Sequence, residues 1–275
     1  MNRTKAQEID RNGVNRRKLL AGSVALPAAA WLASQAGNVR ADAHSKAQPN
    51  AIKNTFTMGD FEVSTLLAGT RTVENPQSIF GMNVEADEFN TVSEANFLPV
   101  DKAQFFFTPT VVRSGDDVIL FDTGLNSGSI SAPLAAAGVM PEDVTVVVIT
   151  HMHGDHIGGL TTDDGSPTFA NARYVTGEAE FDAWAKQDND NFKNKVQPLA
   201  EQMEFIGDGG AIVSGITGMA AHGHTPGHMI YMLESGGKQL GLVADTANHY
   251  GWSLAYLEWE VKFDMDKAAA AATRK

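Results

Sequence analysis

The chain of 275 residues contains no cysteine. Disulfide bonds and thiolate metal ligands are therefore excluded, and any metal ion would have to be held by histidine, aspartate or glutamate. Beyond the N-terminus the sequence also lacks an apolar stretch long enough to span a bilayer. These absences favour a globular domain that folds without disulfide bonds. We expect no membrane association once the N-terminus is removed.

Positive charge is scarce, with 21 Lys and Arg against 33 Asp and Glu and a net charge of −12. The first 43 residues carry seven basic and three acidic residues, a net charge of +4, so the rest of the chain carries −16. Such a surface argues against nucleic acid and anionic membranes as partners. We expect a small-molecule substrate, and a homodimer is possible on this composition.

The N-terminus has the three regions of an export signal in the expected order. The pair Arg16–Arg17 precedes an apolar segment, residues 19–33, and Ala41-Asp42-Ala43 forms a small-x-small cleavage pattern. The paired arginines resemble a bacterial twin-arginine signal. We therefore expect residues 1–43 to be a cleaved signal and the mature protein, residues 44–275, to be periplasmic or secreted. A cytosolic N-terminal helix and an uncleaved anchor are the alternatives.

The rest of the chain shows two groups of predicted strands with helices between them. Residues 71–100 have no clear period, and a loop of that length suggests a lid over a site. The whole pattern predicts an α/β or α+β layered fold in which sheets pack face to face with helices outside. Strands are predicted within residues 54–70, 103–124, 143–150, 210–222, 228–235 and 238–246, and helices within 129–138, 177–187 and 191–203.

The most informative stretch is "ITHMHGDHIGGL", residues 149–160, directly after an apolar strand. In extended backbone His151 and His153 project to the same side. Gly154 permits a turn that brings Asp155 and His156 to a second point nearby. Imidazole and carboxylate groups are zinc ligands, so one short segment can serve two metal positions. The alternative, in which Asp155 only caps a helix and the histidines are structural, would require three clustered imidazoles to be buried for packing.

Three further segments place polar side chains at strand ends. "AAHGHTPGHMIY" contributes His222, His224 and His228, although its glycine and proline residues are equally typical of a plain turn. Asp245 ends the strand in "GLVADT" and could bridge two cations. Asp122, in "VILFDTG", could orient a ligand imidazole from behind or simply begin a turn.

Together "THMHGDHIGG", "GHTPGH", "FDTG" and "ADT" resemble the motifs of the metallo-β-lactamase superfamily of dinuclear metal hydrolases. The resemblance runs over residues 56–245. "GDFEVSTLLAGT" and the segment from "AAHGHTPGH" to "LGLVAD" are similar to the exported methyl parathion hydrolase-like and lactonase-like branch. The resemblance implies an αββα four-layer sandwich with the site at one edge, between the sheets.

The resemblance also implies a ligand set for two divalent ions, with Zn²⁺ expected. His228 corresponds to a histidine that supports the loop, and Asp122 to a residue behind the ligands. His222 and His249 match no ligand position. The first metal would be held by His151, His153 and His224, the second by Asp155 and His156, with Asp245 bridging the two.

The sequence departs from the family pattern at its C-terminal end. The family takes a further histidine for the second metal from a strand beyond the bridging aspartate, and this chain has no histidine after His249. We expect a truncated sequence that lacks the last strand and helix of the fold. The alternative is a degenerate second site.

The predicted function is hydrolysis by a hydroxide held between two ions about 3.5–4 Å apart. Asp155 would orient the nucleophile and pass its proton to the leaving group. Esters or lactones, including acyl-homoserine lactones, come first as substrates, then phosphotriesters, then β-lactams. Phe80, Phe106 and Trp252 could form an apolar substrate wall. The rivals are a non-catalytic metal-binding protein and a di-iron redox enzyme.

Overall fold

The computed structural model describes residues 52–275. The predicted export signal and its cleavage site lie outside the described residues. Within residues 52–275, no helix combines the length and the apolar character needed to cross a membrane.

Thirteen strands and five α-helices of the described chain organise the fold. The strands are β1 (Lys53–Met58), β2 (Phe61–Leu66), β3 (Gly69–Glu74), β4 (Lys102–Phe107), β5 (Thr110–Ser114), β6 (Asp117–Phe121), β7 (Val146–Ile149), β8 (Arg173–Gly177), β9 (Met203–Ile206), β10 (Ala211–Val213), β11 (Ile216–Ala220), β12 (Met229–Ser235) and β13 (Lys238–Leu242). The helices are α1 (Ala86–Ala95), α2 (Ser127–Ala136), α3 (Gly154–Ile157), α4 (Glu178–Ala185) and α5 (Lys267–Arg274). Shorter helical turns occupy Pro76–Ser78, Pro141–Asp143, Phe192–Val196, Gln197–Gln202 and Ala244–Ala247.

The strands form one large sheet and two smaller ones. The large sheet has the order β1-β2-β5-β6-β7-β8-β9, the second β10-β11-β12-β13, and β3 pairs with β4. Pairing is antiparallel from β1 to β6 and parallel from β6 to β9. Parallel neighbours need crossover connections, and α2 and α4 lie in the segments that link these strands. The sequence supports α2 with a capping box at Asn126 and with Gly138, at φ +68°, just beyond its end.

Strand β7 explains why the run "VTVVVIT" is almost entirely apolar. Val146 and Val148 belong to the core between the large and the four-stranded sheet, and Val147 and Ile149 to the core beneath the helices. All four side chains are at most 1% exposed. A strand covered on both faces cannot alternate with polar residues.

Two sheets packed face to face, with helices on the outer face of the larger one, confirm the predicted mixed α/β sandwich. The core between the sheets takes Val63, Val112 and Phe121 from the large sheet and Ile216 and Tyr231 from the other. The core on the opposite face combines large-sheet residues with apolar side chains of α2 and α4. The site described below lies where the strands of both sheets end.

The prediction of an irregular lid over residues 71–100 was wrong. The segment contains most of β3 and the whole of α1, and it helps to build a third apolar core. Phe89 of α1 stacks in that core on Trp252 and Trp259, with ring centroids 5.3 and 5.7 Å apart. The segment is therefore part of the packed body of the domain.

Candidate metal centre

The polar side chains singled out in the sequence meet at one edge of the fold because each follows the end of a strand. Asp122 follows β6, and the segment from His151 to His156 follows β7, its parallel neighbour. His224 lies in the connection from β11 to β12, and Asp245 comes shortly after β13. The carboxyl ends of parallel strands lie at one sheet edge, so these groups converge.

Three imidazoles form the first ligand cluster. The Nε2 atom of His151 lies 3.1 Å from Nδ1 of His153, which lies 3.0 Å from Nε2 of His224. The rings of His151 and His153, and of His153 and His224, stand nearly perpendicular. His151 and His224 are at most 1% exposed.

Two carboxylates and one imidazole form the second cluster, and Asp245 joins it to the first. The Nε2 atom of His156 lies 3.5 Å from Oδ2 of Asp155 and 3.5 Å from Oδ1 of Asp245. The other oxygen of Asp245, Oδ2, lies 3.4 Å from Nε2 of His224. Asp245 thus presents one oxygen to each cluster, which is the position that a bridging ligand would need.

The hydrogen-bond partners behind two of the imidazoles fit a cation in front of them. The Nδ1 atom of His224 lies 2.9 Å from Oδ1 of Asp264, and Nδ1 of His156 lies 2.8 Å from Oδ2 of Asp122. Each carboxylate can accept a hydrogen bond from Nδ1–H, which leaves Nε2 as the ring nitrogen that faces the cluster and could bind a cation. There Nε2 of His156 lies near the carboxylates of Asp155 and Asp245, and Nε2 of His224 lies near Asp245. Tetrahedral zinc with imidazole ligands at about 2.0–2.1 Å would separate ligand atoms by about 3.3 Å, close to the spacing observed here.

The pKa directions differ between the two clusters. Burial, followed by the charge of His156 and the other histidines, holds the pKa of His151 well below its usual range. Burial and then His224 lower the pKa of His153 to about 4. Burial would lower the pKa of His156 too, but Asp122, Asp245 and Asp155 outweigh it and raise that pKa to about 10. The second cluster therefore attracts positive charge strongly, which a divalent ion would satisfy.

Asp122 anchors the ligand loop from behind. Its Oδ1 accepts a hydrogen bond from the backbone N–H of Thr150 at 2.9 Å, and Oδ2 accepts from the Thr150 hydroxyl at 2.9 Å as well as from His156. The residue sits at φ +59°, an unusual conformation for a residue other than glycine and one that recurs at functional sites. His228 supports the site differently, because its Nε2 accepts from the backbone N–H of Asp245 at 3.2 Å.

Two buried carboxylates of the site were missed by the sequence analysis. Asp264 holds His224 and itself pairs with Arg274, whose Nη1 lies 2.9 Å from Oδ2. Both side chains of that pair are 1% exposed. Glu180 of α4 is fully buried. No local pattern marks either residue, since each contacts the site across a long stretch of sequence.

Glu180 ties together the two loops that carry the histidines. Its Oε1 accepts from the backbone N–H of Met152 at 2.8 Å and from Nε1 of Trp184 at 2.7 Å. Its Oε2 accepts from the hydroxyl of Thr225 at 2.7 Å and the backbone N–H of Gly227 at 2.9 Å. One carboxylate therefore fixes the distance between the "HMHGDH" and "HTPGH" segments.

A cavity of about 720 Å³ opens in front of both clusters. Its wall is largely apolar, and its aromatic lining residues are Phe105, Phe106 and Phe107 of β4, Phe121, Tyr250 and Phe263. Four residues of the two clusters, His153, Asp155, His156 and Asp245, also line it.

Of the three residues predicted to form a substrate wall, only Phe106 lines the cavity. Phe106 is 59% exposed. Phe80 and Trp252 are at most 1% exposed and belong to the third apolar core, where their ring centroids lie 5.3 Å apart. They pack inside this core and do not line the cavity. Complete burial removes more apolar surface from water than a place on the cavity wall would, so it stabilises the fold more. Among histidines without a predicted role, His222 is exposed and His249 lines the cavity.

Solved structures share this architecture. AidC, a dizinc quorum-quenching lactonase solved with the product N-hexanoyl-L-homoserine, aligns with a TM-score of 0.74 at 23% identity, over 81% of this chain and 84% of that one. AbOPH, a hydrolase of the beta-lactamase superfamily, aligns with a TM-score of 0.74 at 23% identity, over 82% and 85%. At such identities the likeness concerns the fold.

Sequence relatives point the same way. The probable metallo-hydrolase YybB of Bacillus subtilis (strain 168) is 29% identical over 126 residues, which cover 44% of this chain and 53% of that protein. An N-acyl homoserine lactonase of a Bacillus species is 29% identical over 102 residues, which cover 37% of this chain and 38% of that protein. The chain thus matches about half, or less, of the length of these relatives.

The family model described as the metallo-beta-lactamase superfamily matches residues 108–275, more than half of the chain. This stretch contains Asp122 and every residue of both ligand clusters. Motifs, ligand geometry and layered fold therefore agree with one family. The protein belongs to the metallo-beta-lactamase superfamily.

Proposed function

We propose that the protein is a dinuclear metal hydrolase that opens lactones, with N-acyl homoserine lactones as the first substrate class to test. One observation carries the proposal: two ligand clusters, joined by the carboxylate of Asp245, lie beside a largely apolar cavity. Two divalent ions, Zn²⁺ in the first instance, fit the donors because imidazole and carboxylate groups are the ligands that zinc prefers. A metal pair there would polarise the substrate carbonyl and supply an activated water at neutral pH.

The chain's own residues would orient the reactants. Hydrolysis adds a water oxygen to the acyl carbon, breaks the ring C–O bond and places a proton on the leaving oxygen. Asp155 is the residue placed to move that proton, since its side chain is 33% exposed and lines the cavity. Asp122, Asp264 and Glu180 hold the imidazoles and their loops in place from behind.

The cavity suits a substrate with an apolar tail. Phe105, Phe106, Tyr250 and Phe263 offer aromatic surface, and about 720 Å³ is room for a lactone ring with an acyl chain. The named activity of the Bacillus N-acyl homoserine lactonase adds support for this substrate class. The same aromatic surface would accept the aryl group of a phosphotriester, which is the second candidate.

A substrate panel tests the proposal. The full chain, loaded with Zn²⁺, Mn²⁺ or Co²⁺ and assayed for bound metal, is given N-hexanoyl homoserine lactone, an aryl ester, an aryl phosphotriester and a β-lactam. We expect lactone turnover with two metal ions per chain. Metal binding without turnover of any substrate would contradict the proposal and favour a binding protein, and bound iron with oxygen chemistry would favour a redox enzyme.

The variant Asp155→Asn tests the carboxylate that we assign both to the second metal position and to proton transfer. It keeps the shape of the side chain but cannot accept a proton, so we expect kcat to fall by about 10²–10⁴-fold. Bound metal is measured alongside, to show how far each site remains filled. The exposed Asp163→Asn, on the turn after β7 and α3, is the matched control and should keep wild-type rates.

A further inference from the structure

His249 lines the cavity, yet it belongs to neither ligand cluster. It follows the short helical turn Ala244–Ala247 and precedes Trp252, which is buried in the third apolar core. Its position at the cavity wall, four residues after the bridging ligand Asp245, raises the question of what its ring does.

The loop fixes the orientation of the ring. The Nδ1 atom of His249 accepts hydrogen bonds from the backbone N–H groups of Gly251 at 3.1 Å and Trp252 at 3.2 Å. The backbone N–H of His249 donates to the hydroxyl of Ser253 at 2.8 Å. An Nδ1 atom that accepts two hydrogen bonds must offer its lone pair, so the neutral ring carries its proton on Nε2.

Aromatic packing holds this ring in place, and burial keeps it neutral. It stacks on Trp252 with centroids 4.1 Å apart and planes at 20°, and on Tyr250 at 4.8 Å and 17°. Burial lowers the pKa of His249 to about 4. The proton on Nε2 is therefore a permanent hydrogen-bond donor at neutral pH.

That donor has no protein acceptor within residues 52–275. No hydrogen bond to a described residue involves Nε2 of His249, and the atom is not among the buried polar atoms without a partner in that range. His249 lines the cavity, and its Nδ1 faces the loop, which leaves Nε2 on the side of the ring away from those loop contacts.

We propose that the Nε2–H of His249 donates a hydrogen bond to an uncharged acceptor oxygen of the substrate, outside the bond that breaks, such as the amide carbonyl of an N-acyl lactone. This inference rests on the proposed lactonase function. A donor fixed in a largely apolar wall selects for substrates that carry an acceptor, since a substrate without one leaves the N–H unpaired.

Two lactones of equal length test the selection. One is N-hexanoyl homoserine lactone, and the other is a lactone with an alkyl tail of the same length and no amide. In His249→Asn the side-chain oxygen can replace Nδ1 as the acceptor for the loop, but no donor reaches the position of Nε2. We expect the kcat/KM ratio of amide lactone to alkyl lactone to fall about tenfold, mainly through KM.

Companion variants separate the donor from the support of the loop. His249→Gln carries a donor at the reach of Nε2 but loses the acceptor at Nδ1, so it should keep more of the amide preference than His249→Asn while melting at a lower temperature. The exposed His222→Asn is the control and should keep both the ratio and the melting temperature. An unchanged ratio in His249→Asn would overturn the inference.

A binding measurement that needs no turnover tests the His249 donor separately from the proposed lactonase function. Ring ¹⁵N NMR of the zinc-loaded protein reports which nitrogen of His249 carries the proton, and N-hexanoyl homoserine is then titrated in. An Nε2–H signal that shifts with this ligand supports the donor even if no lactone is hydrolysed. An Nδ1–H ring, or a signal that saturating ligand leaves unmoved, overturns it.

Discussion

The Nδ1 atom of His224 lies 2.9 Å from the carboxylate of Asp264, forty positions later in the chain. The same carboxylate pairs with Arg274 at the end of α5. A ligand of the first cluster is thereby joined to the C-terminal helix through two buried side chains. Such partners fix the orientation of a metal-binding imidazole and raise its basicity.

Removal of the Asp264 carboxylate should therefore weaken metal binding. We expect Asp264→Ala to lower zinc affinity by about 10–100-fold, and to lower the free energy of unfolding by about 3–5 kcal/mol because Arg274 is left buried without its partner. Chelator competition and urea unfolding measure the two effects.

The neighbouring Asp266 provides a matched control for this experiment. It caps α5 by accepting from the backbone N–H of Ala269 at 3.0 Å, and no hydrogen bond joins it to a histidine of the described clusters. Asp266→Ala should cost about 1 kcal/mol of stability and leave zinc affinity unchanged. Equal affinity losses in both variants would refute a specific role for Asp264.

Glu180 offers a test of how the two histidine loops are held together. In Glu180→Gln the side-chain NH₂ group must replace one carboxylate oxygen. It then faces two hydrogen-bond donors, and both of those hydrogen bonds are lost. We expect the free energy of unfolding to fall by about 2–4 kcal/mol, as measured by urea titration of the metal-free protein. Glu178→Gln, an exposed change on the same helix, should stay within about 0.5 kcal/mol of wild type. Similar urea midpoints for the two variants would argue against a role of Glu180 in holding the two loops together.

The stability of the metal-free protein should be greatest near neutral pH. The pKa values of His153 and His249, lowered from 6.5 to about 4, mean that the unfolded chain binds protons first, so stability falls as the pH drops from about 6.5 to 4. The raised pKa of His156 acts oppositely, and its contribution, complete below 6.5, is lost as the pH rises to about 10. Urea midpoints between pH 4 and 10, with chelator present, should trace this maximum. A flat profile would contradict it.

Export is a separate prediction. We propose that Arg16 and Arg17 direct the folded protein through the twin-arginine route and that cleavage follows Ala43. In a bacterial host, the wild type should appear in the periplasm or medium with His44 as its first residue, as read by N-terminal sequencing. Replacement of both arginines by lysine should retain the protein in the cytoplasm. An intact N-terminus on exported protein would count against a cleaved signal.

Local patterns made part of this fold predictable from sequence. The apolar run of β7 and the histidines that follow it are adjacent in the chain, so strand, turn and ligands could be inferred together. Asp264 and Glu180 could not, because they reach the site from 40 and from 28 to 47 residues away. Contacts of that range depend on how the layers pack.

The errors also have physical causes. Helix α1 buries only Phe89 and Ser93 and has no side-chain cap at Glu85, so it leaves little helical signal in residues 71–100. Phe80 and Trp252 were predicted to line the cavity because aromatic residues suit such walls. The third core, which only the folded chain assembles, encloses them instead.

The left-handed backbone conformation at Asp122 restricts which amino acids can occupy that position. A β-branched side chain would strain the turn. Glycine would relieve the strain but would lose the hydrogen bonds to Thr150 and His156. Asparagine tolerates the same backbone and keeps an oxygen for one of these donors. Aspartate accepts from Thr150 and from His156 through separate oxygens while its backbone stands at φ +59°, so glycine and asparagine would each lose contacts that hold the loop.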